Sequence, residues 1–157
     1  MTAQPDQTDA KTGRIIISVD AMGGDQGPAA VVAGISDSAS RNSSIGFILH
    51  GDAKQLNALV DKRKPLHGRC EIRNATDIVS MDDKPSSVVR TGKNTSMWST
   101  IQSVRDGEAT VAVSCGNTGA LMALAMIRLR KLPGVNRPAI AVLYPSRNAH
   151  GVNVLLD

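Results

Sequence analysis

Ser114-Cys115-Gly116-Asn117-Thr118-Gly119-Ala120 joins an apolar β-type run to an apolar helical run. Asn117 suits the N-cap of that helix, and Gly116 and Gly119 strip side chains from the backbone on either side of it. Free N–H groups, the Ser114 and Thr118 hydroxyls and the positive end of a helix dipole would then converge on one small volume. Such a volume can hold phosphate or a developing oxyanion. Read alone, the pattern fits simple helix capping equally well. Cys115 adds a thiol at the same turn, which raises the question of an acyl-cysteine intermediate.

Three further segments carry candidate groups. In Val19-Asp20-Ala21-Met22-Gly23-Gly24-Asp25-Gln26-Gly27-Pro28, the pair Gly23 and Gly24 follows a strand and precedes a helix. Backbone can approach a ligand closely there, although a purely structural turn has the same signature. Asp20 and Asp25 would repel a phosphate they faced. Their expected role is to orient a Lys or Arg, or to brace the Gly23-Gly24 turn. Arg90 and Lys93 lead into a helix through Thr95 and Ser96 and are candidate charge partners for an anion, with a solvated loop as the alternative. Arg137 stands just before a strand, where a surface salt bridge is the competing reading.

These segments need a scaffold, and the apolar periodicity supplies one. Strands are expected over 14–19, 45–49, 70–73 and 110–114, and again over 139–143 and 152–156. Helices are expected over 28–40, 53–62, 96–106 and 118–130. Pro28 suits a first helical turn, Pro65 stops the second helix, and Gly107 ends the third. The helix over 118–130 is apolar nearly all round and is expected to be deeply buried; whether it also lines an apolar channel is left open. Ile78 to Met81 is a short apolar piece without an assigned element. Strands alternating with helices predict an α/β fold with a parallel sheet covered on both faces. Ligands in such sheets bind beyond the carboxyl ends of the strands. Residues 1–13 are polar, resemble no signal peptide, and are expected to form a disordered tail. A domain seldom stops on a buried strand with no covering helix. The segment 14–157 is therefore expected to be the N-terminal part of a longer domain.

Composition narrows the function classes. The 157 residues carry a formal net charge of +4, with 20% charged and only 2% aromatic residues. So few rings argue against a stacking platform for single-stranded nucleic acid. The basic clusters Lys62-Arg63-Lys64 and Arg128-Leu129-Arg130-Lys131 are expected at helix C-termini, where they complement the dipole. No nucleic-acid partner is expected. The two cysteines form no CxxC, and His50, His67 and His150 show no ligand spacing. The Gly-rich turn is neither a dinucleotide fingerprint nor a Walker A loop. No metal and no cofactor are expected, and a reducing cytosol fits.

The segments VDAMGGDQGP, TSMWSTIQSVRDGEA, SCGNTGALM and RPAIA, in this order and spacing, strongly resemble the PlsX family of phosphate acyltransferases. The likeness runs from about Arg14 to Asp157, with Cys115 standing where the family usually has Ala. The resemblance implies a three-layer α/β/α Rossmann-like fold related to phosphotransacetylases and isopropylmalate dehydrogenases. It implies transfer of a fatty acyl group from acyl carrier protein to inorganic phosphate, without a thiol intermediate. It also implies a cytoplasmic homodimer loosely associated with the membrane through parts beyond this chain. Ser114, Asn117 and Thr118 are the expected catalytic group. Asp20, Gly23, Gly24, Asp25, Arg90, Lys93, Gly116, Gly119 and Arg137 are the expected phosphate- or substrate-binding set. Two other readings stay open: a phosphotransacetylase-like enzyme using acyl-CoA, and a fragment that folds or dimerises without turnover.

Overall fold

The computed structural model describes residues 14–136 and 138–156. The expected tail over 1–13, Arg137 and Asp157 lie outside the described residues.

Four strands, β1 (Ile15–Asp20), β2 (Ile45–Gly51), β3 (Cys70–Asn74) and β4 (Val111–Ser114), form a parallel sheet in the order β3-β2-β1-β4. Alternation along β1 and β2 divides the side chains between two faces. Val19, Phe47 and Leu49 pack with Val32, Ile35 and Ala39 of α1 (Gly27–Arg41) and Leu56 and Val60 of α2 (Ala53–Val60). On the opposite face, Ser18 and His50 bond to α4 (Ser96–Arg105). A second core there joins α4 to α3 (Pro85–Thr91) and α5 (Thr118–Arg128) through Val88, Met97, Ile101, Ala120 and Leu124. The result is a three-layer α/β/α arrangement, as the strand–helix alternation predicts.

Local chemistry sets the helix ends. Pro28 sits in the first turn of α1, where its missing N–H costs no bond. Asp52 caps α2 by accepting from the Gln55 N–H at 2.9 Å, and Thr95 caps α4 by accepting from Trp98 N–H at 3.2 Å. Arg69 holds the far end of α1, donating to the carbonyls of Ala39, Asn42 and Ile45.

The chain winds from β1 through α1 to β2 and through α2 to β3. It then returns across β1 to β4 over the other face. The winding direction reverses between β1 and β4. The loops leaving those two neighbours depart to opposite faces, which opens a crevice at the carboxyl edge of the sheet.

Three expectations need correction. The strands β5 (Ala141–Pro145) and β6 (Val152–Leu156) do not extend the parallel sheet; they pair antiparallel with each other as a separate two-stranded sheet. Only six residues, 146–151, join them. A parallel pair needs a crossover of a dozen or more, so a hairpin is the available solution. Both strands are exposed along their length, so the reasoning from a buried final strand does not hold. Nor is α5 deeply buried. Ala120 and Leu124, one turn apart, face α3 and α4, while Met126 is 41% and Ile127 55% exposed. Among the described residues, only one side of this helix has a packing partner. Finally, 85–91 is helical, with Pro85 in the first turn of α3, so Arg90 stands in a helix and not in the solvated loop offered as its alternative reading.

Candidate functional site

The site is the crevice between the β1–α1 loop and the β4–α5 loop. Asp20 and Ser114 are register partners at the ends of β1 and β4. The Ser114 hydroxyl donates to Asp20 Oδ2 at 2.8 Å. Asp20 Oδ1 accepts from the N–H groups of Met22 and Gly23 at 3.3 and 3.2 Å. Ser114 Oγ in turn accepts from the Gly116 N–H at 3.0 Å. One buried carboxylate and one hydroxyl therefore stitch both loops together. Among the described residues no cation pairs with Asp20, so it serves as a brace for the Gly23-Gly24 turn.

The glycines are required by contact. A Cβ on Gly23 would lie 2.8 Å from Asp20 Oδ2, 2.9 Å from Gly116 N and 3.0 Å from Ser114 Oγ. Gly24 has φ of +97° and would place a Cβ 2.9 Å from that of Cys115. The two loops interlock at van der Waals distance, which only glycine backbone permits. Cys115 is exposed at this junction.

Asn117 is buried and fully committed. Its Oδ1 caps α5 by accepting from Ala120 N–H at 3.0 Å. Its Nδ2 donates to the carbonyls of Ser80, Met81 and Asp83 at 3.1, 3.1 and 2.9 Å. The apolar piece Ile78–Met81 thereby finds its place: Val79 enters the second core, and the following turn is latched onto the start of α5. With Ser114, Gly116 N and the Asn117 side chain occupied in these bonds, the groups at this terminus without a partner among the described residues include the N–H groups of Thr118 and Gly119 and the Thr118 hydroxyl. The first N–H groups of a helix have no acceptor within it. Thr118 is exposed, and Gly119 is packed closely enough that a Cβ would meet Pro85 at 3.1 Å.

The structure thus assembles Asp20, Gly23, Gly24, Ser114, Gly116, Asn117, Thr118 and Gly119 into one locus, with Asp25 at the rim of the adjoining cavity. Arg90 and Lys93 are not drawn in. Arg90 is exposed in the last turn of α3, where its Nε donates to Ser86 O at 3.2 Å, and Lys93 is exposed in the following turn. Arg137 lies outside the described residues. The latch at Ser80–Asp83, Pro85 against Gly119 and Met97 against Gly116 have no motif-level signal; Lys84-Pro85 alone could have marked the α3 start.

Beneath the crevice, His50 is fully buried beside Asp20 on β2. The Ser18 hydroxyl donates to Thr100 O, so Ser18 Oγ accepts from His50 Nε2–H at 2.9 Å, leaving Nδ1 to accept from Ser99 at 2.7 Å. Burial first, and the Arg73 guanidinium second, push its pKa down from 6.5 to about 4. The unfolded chain therefore binds the extra proton first. Stability is complete above about pH 6.5, falls as pH drops towards about 4, and levels below it. Between pH 7 and pH 5 this group should remove about 2 kcal/mol. Urea unfolding at both pH values should show the loss, and His50→Gln should shrink it.

A three-layer α/β protein with two glycine loops interlocked at its switch point belongs to the architecture in which ligands bind beyond the carboxyl ends of the strands. Comparison with known proteins narrows the class. The model of the fatty acid synthesis protein family matches residues 15–157. A phosphate acyltransferase of Roseobacter denitrificans is 70% identical over all 157 residues, which cover 44% of its length. That of Ruegeria pomeroyi is 68% identical over 157 residues and 42% of its length. That of Cereibacter sphaeroides (strain ATCC 17025) is 71% identical over 145 residues, 92% of this chain and 39% of its own. The chain belongs to the fatty acid synthesis protein family, the one its motifs resemble. It spans less than half the length of these curated relatives.

Proposed function

We propose that this chain is the N-terminal part of a phosphate acyltransferase that transfers a fatty acyl group from acyl carrier protein to inorganic phosphate, in phospholipid synthesis. The observation that supports it most is the switch-point crevice, where two interlocked glycine loops leave helix-start N–H groups at Thr118 and Gly119 free of intrahelical acceptors. The relatives' names point the same way.

The chemistry asks little of side-chain acids or bases. A phosphate oxygen attacks the thioester carbonyl carbon, and the carbonyl oxygen takes up negative charge. The C–S bond then breaks, and the carrier's thiolate leaves and takes a proton from solvent. The protein must hold phosphate in line and stabilise the oxyanion. Thr118 N–H, Gly119 N–H and the Thr118 hydroxyl are the donors for one of these anions. Asp20, Ser114 and Asn117 act as positioning residues: they fix the loops that carry those donors. Arg90, Lys93 and Arg137 remain the candidate charge partners for phosphate. A net charge of +4 favours encounter with an acidic carrier protein. The working form is a cytoplasmic homodimer that touches the membrane peripherally. No helix among the described residues is long and apolar enough to cross a membrane.

The test follows thiol release in a polypeptide of the relatives' full length that carries this sequence. With acyl carrier protein as donor, release should depend on phosphate and should exceed release from acyl-CoA. Preference for acyl-CoA would favour the phosphotransacetylase-like reading. Phosphate-independent release, or none, would leave a protein that folds without this activity.

A further inference from the structure

The seam between α4 and the strands beneath it is polar, whereas both cores are largely aliphatic. His50, fully buried near the end of β2, stands at its centre. Its Nε2 meets Ser18 Oγ of β1 at 2.9 Å and lies 3.4 Å from Ser103 Oγ, while its Nδ1 meets Ser99 Oγ at 2.7 Å. Ser99 and Ser103 are one turn apart on α4, so one ring touches two successive turns of the helix. Ser18 adds a bond to Thr100 O at 2.9 Å. The apolar residues Met97 and Ile101 of α4 belong instead to the second core, with α3 and α5. Apolar contact is non-directional and lets a helix slide; hydrogen bonds of these lengths do not. Both loops of the crevice touch this seam. The His50 carbonyl accepts from the Ala21 N–H at 3.0 Å, where the β1–α1 loop begins. Two residues before Ser99, Met97 is fully buried behind the β4–α5 loop. A Cβ on Gly116 would lie 3.3 Å from Met97 Cε and 3.3 Å from Gly23 Cα.

We propose that His50 is a positioning residue for the crevice: its ring fixes where α4 sits along the sheet, and α4, through Met97, fixes Gly116 and the helix start that follows it. The inference rests on the proposed anion site and deepens it. Close packing carries the effect, since a shift of α4 at Met97 meets the Gly116 backbone with no slack to absorb it. A neutral imidazole suits the task better than an aliphatic residue of its size. It donates from one nitrogen and accepts at the other, so it ties β1 and α4 into one geometry, and a satisfied buried network specifies a single arrangement. Burial and the Arg73 guanidinium keep the ring neutral. Arg73 of β3 donates to Ser103 Oγ at 3.1 Å and is itself paired with Glu71 and Glu108. Asp20, the register partner of His50 on β1, has its carboxylate held by Met22, Gly23 and Ser114. Among the described residues, no charged group bonds to either ring nitrogen.

Ser99→Ala is the mildest test, because Ser99 is half-buried and alanine favours the helix. Amide hydrogen exchange on this chain reads the crevice without any ligand. The Gly116 N–H is bonded to Ser114 Oγ and the Ala120 N–H to Asn117 Oδ1. Both should exchange about tenfold faster in Ser99→Ala and in His50→Leu. His50→Gln keeps a donor and an acceptor and should recover most of the protection. Val60→Ala trims the core shared by α1 and α2 and should leave both amides at the parent rate. The affinity for inorganic phosphate, by calorimetric titration, should fall about tenfold in Ser99→Ala and stay level in Val60→Ala. The proposal is overturned if both amides keep the parent rate in Ser99→Ala and His50→Leu, or if Val60→Ala speeds them equally. Faster exchange with phosphate bound as tightly as before overturns it too. A parent chain that binds no phosphate would instead sink the anion site, and the exchange rates would still decide whether His50 holds the loops.

Discussion

Asn117→Asp should destabilise this protein by about 3 kcal/mol, although aspartate is as good an N-cap as asparagine. The cap itself survives the change: a carboxylate still accepts from Ala120 N–H, and its charge suits the helix dipole. What disappears is the Nδ2 amide that donates to the carbonyls of Ser80, Met81 and Asp83. The substitution leaves those carbonyls without their donor and places a negative charge against them. Asn117→Ala loses the same latch and the cap as well but brings no charge against the carbonyls, so its loss should be of similar size. A fall of the urea midpoint in both variants is therefore diagnostic. An aspartate variant as stable as the parent would show that the latch contributes nothing. In the proposed reaction, turnover should drop by about a hundredfold in either variant: alanine removes the cap that carries the Thr118 and Gly119 donors, and aspartate sets a negative charge beside the anion they would bind.

The second large effect is expected from Gly23→Ala. The added methyl would sit 2.8 Å from Asp20 Oδ2, 2.9 Å from Gly116 N and 3.0 Å from Ser114 Oγ. None of these can swing away cheaply, since all three belong to the hydrogen-bonded chain that joins β1 to β4. The damage is steric and local, about 1–3 kcal/mol in stability, with the loops forced apart where the proposed reaction would bring phosphate and carbonyl together. Gly107→Ala provides the comparison. Gly107 has φ of +77° and no neighbour within 4 Å, so alanine there costs backbone strain at the end of α4, away from the crevice. The two variants should lose similar stability, while only Gly23→Ala should lose activity, by at least about a hundredfold. Equal activities would mean the interlock is structural alone.

Much of this site is readable from the chain because its parts are local. Glycine pairs after strands, an asparagine before an apolar run and a proline in a first turn each report a short-range constraint. The sheet and its covering helices follow from the same periodicities. What joins the parts is not local. The Asp20–Ser114 bond spans 94 positions and exists only because β4 pairs with β1 rather than with β3. No spacing rule indicates that pairing, so Ser114 and Asn117 read as donors to a ligand when their hydrogens are used within the protein. The exposure of α5 escaped for a related reason. Apolar residues all round a helix show that it can be covered, not what covers it. The β5–β6 hairpin, by contrast, was open to arithmetic: six connecting residues are too few for a parallel crossover.

The most direct measurement is a phosphate titration followed through the backbone amide resonances of the chain. The Thr118 and Gly119 N–H signals should move in a saturable way, and Asn117→Asp should weaken the response. If those two signals stay still while amides elsewhere respond, or if none responds, the start of α5 does not collect the anion and this account of the site is wrong.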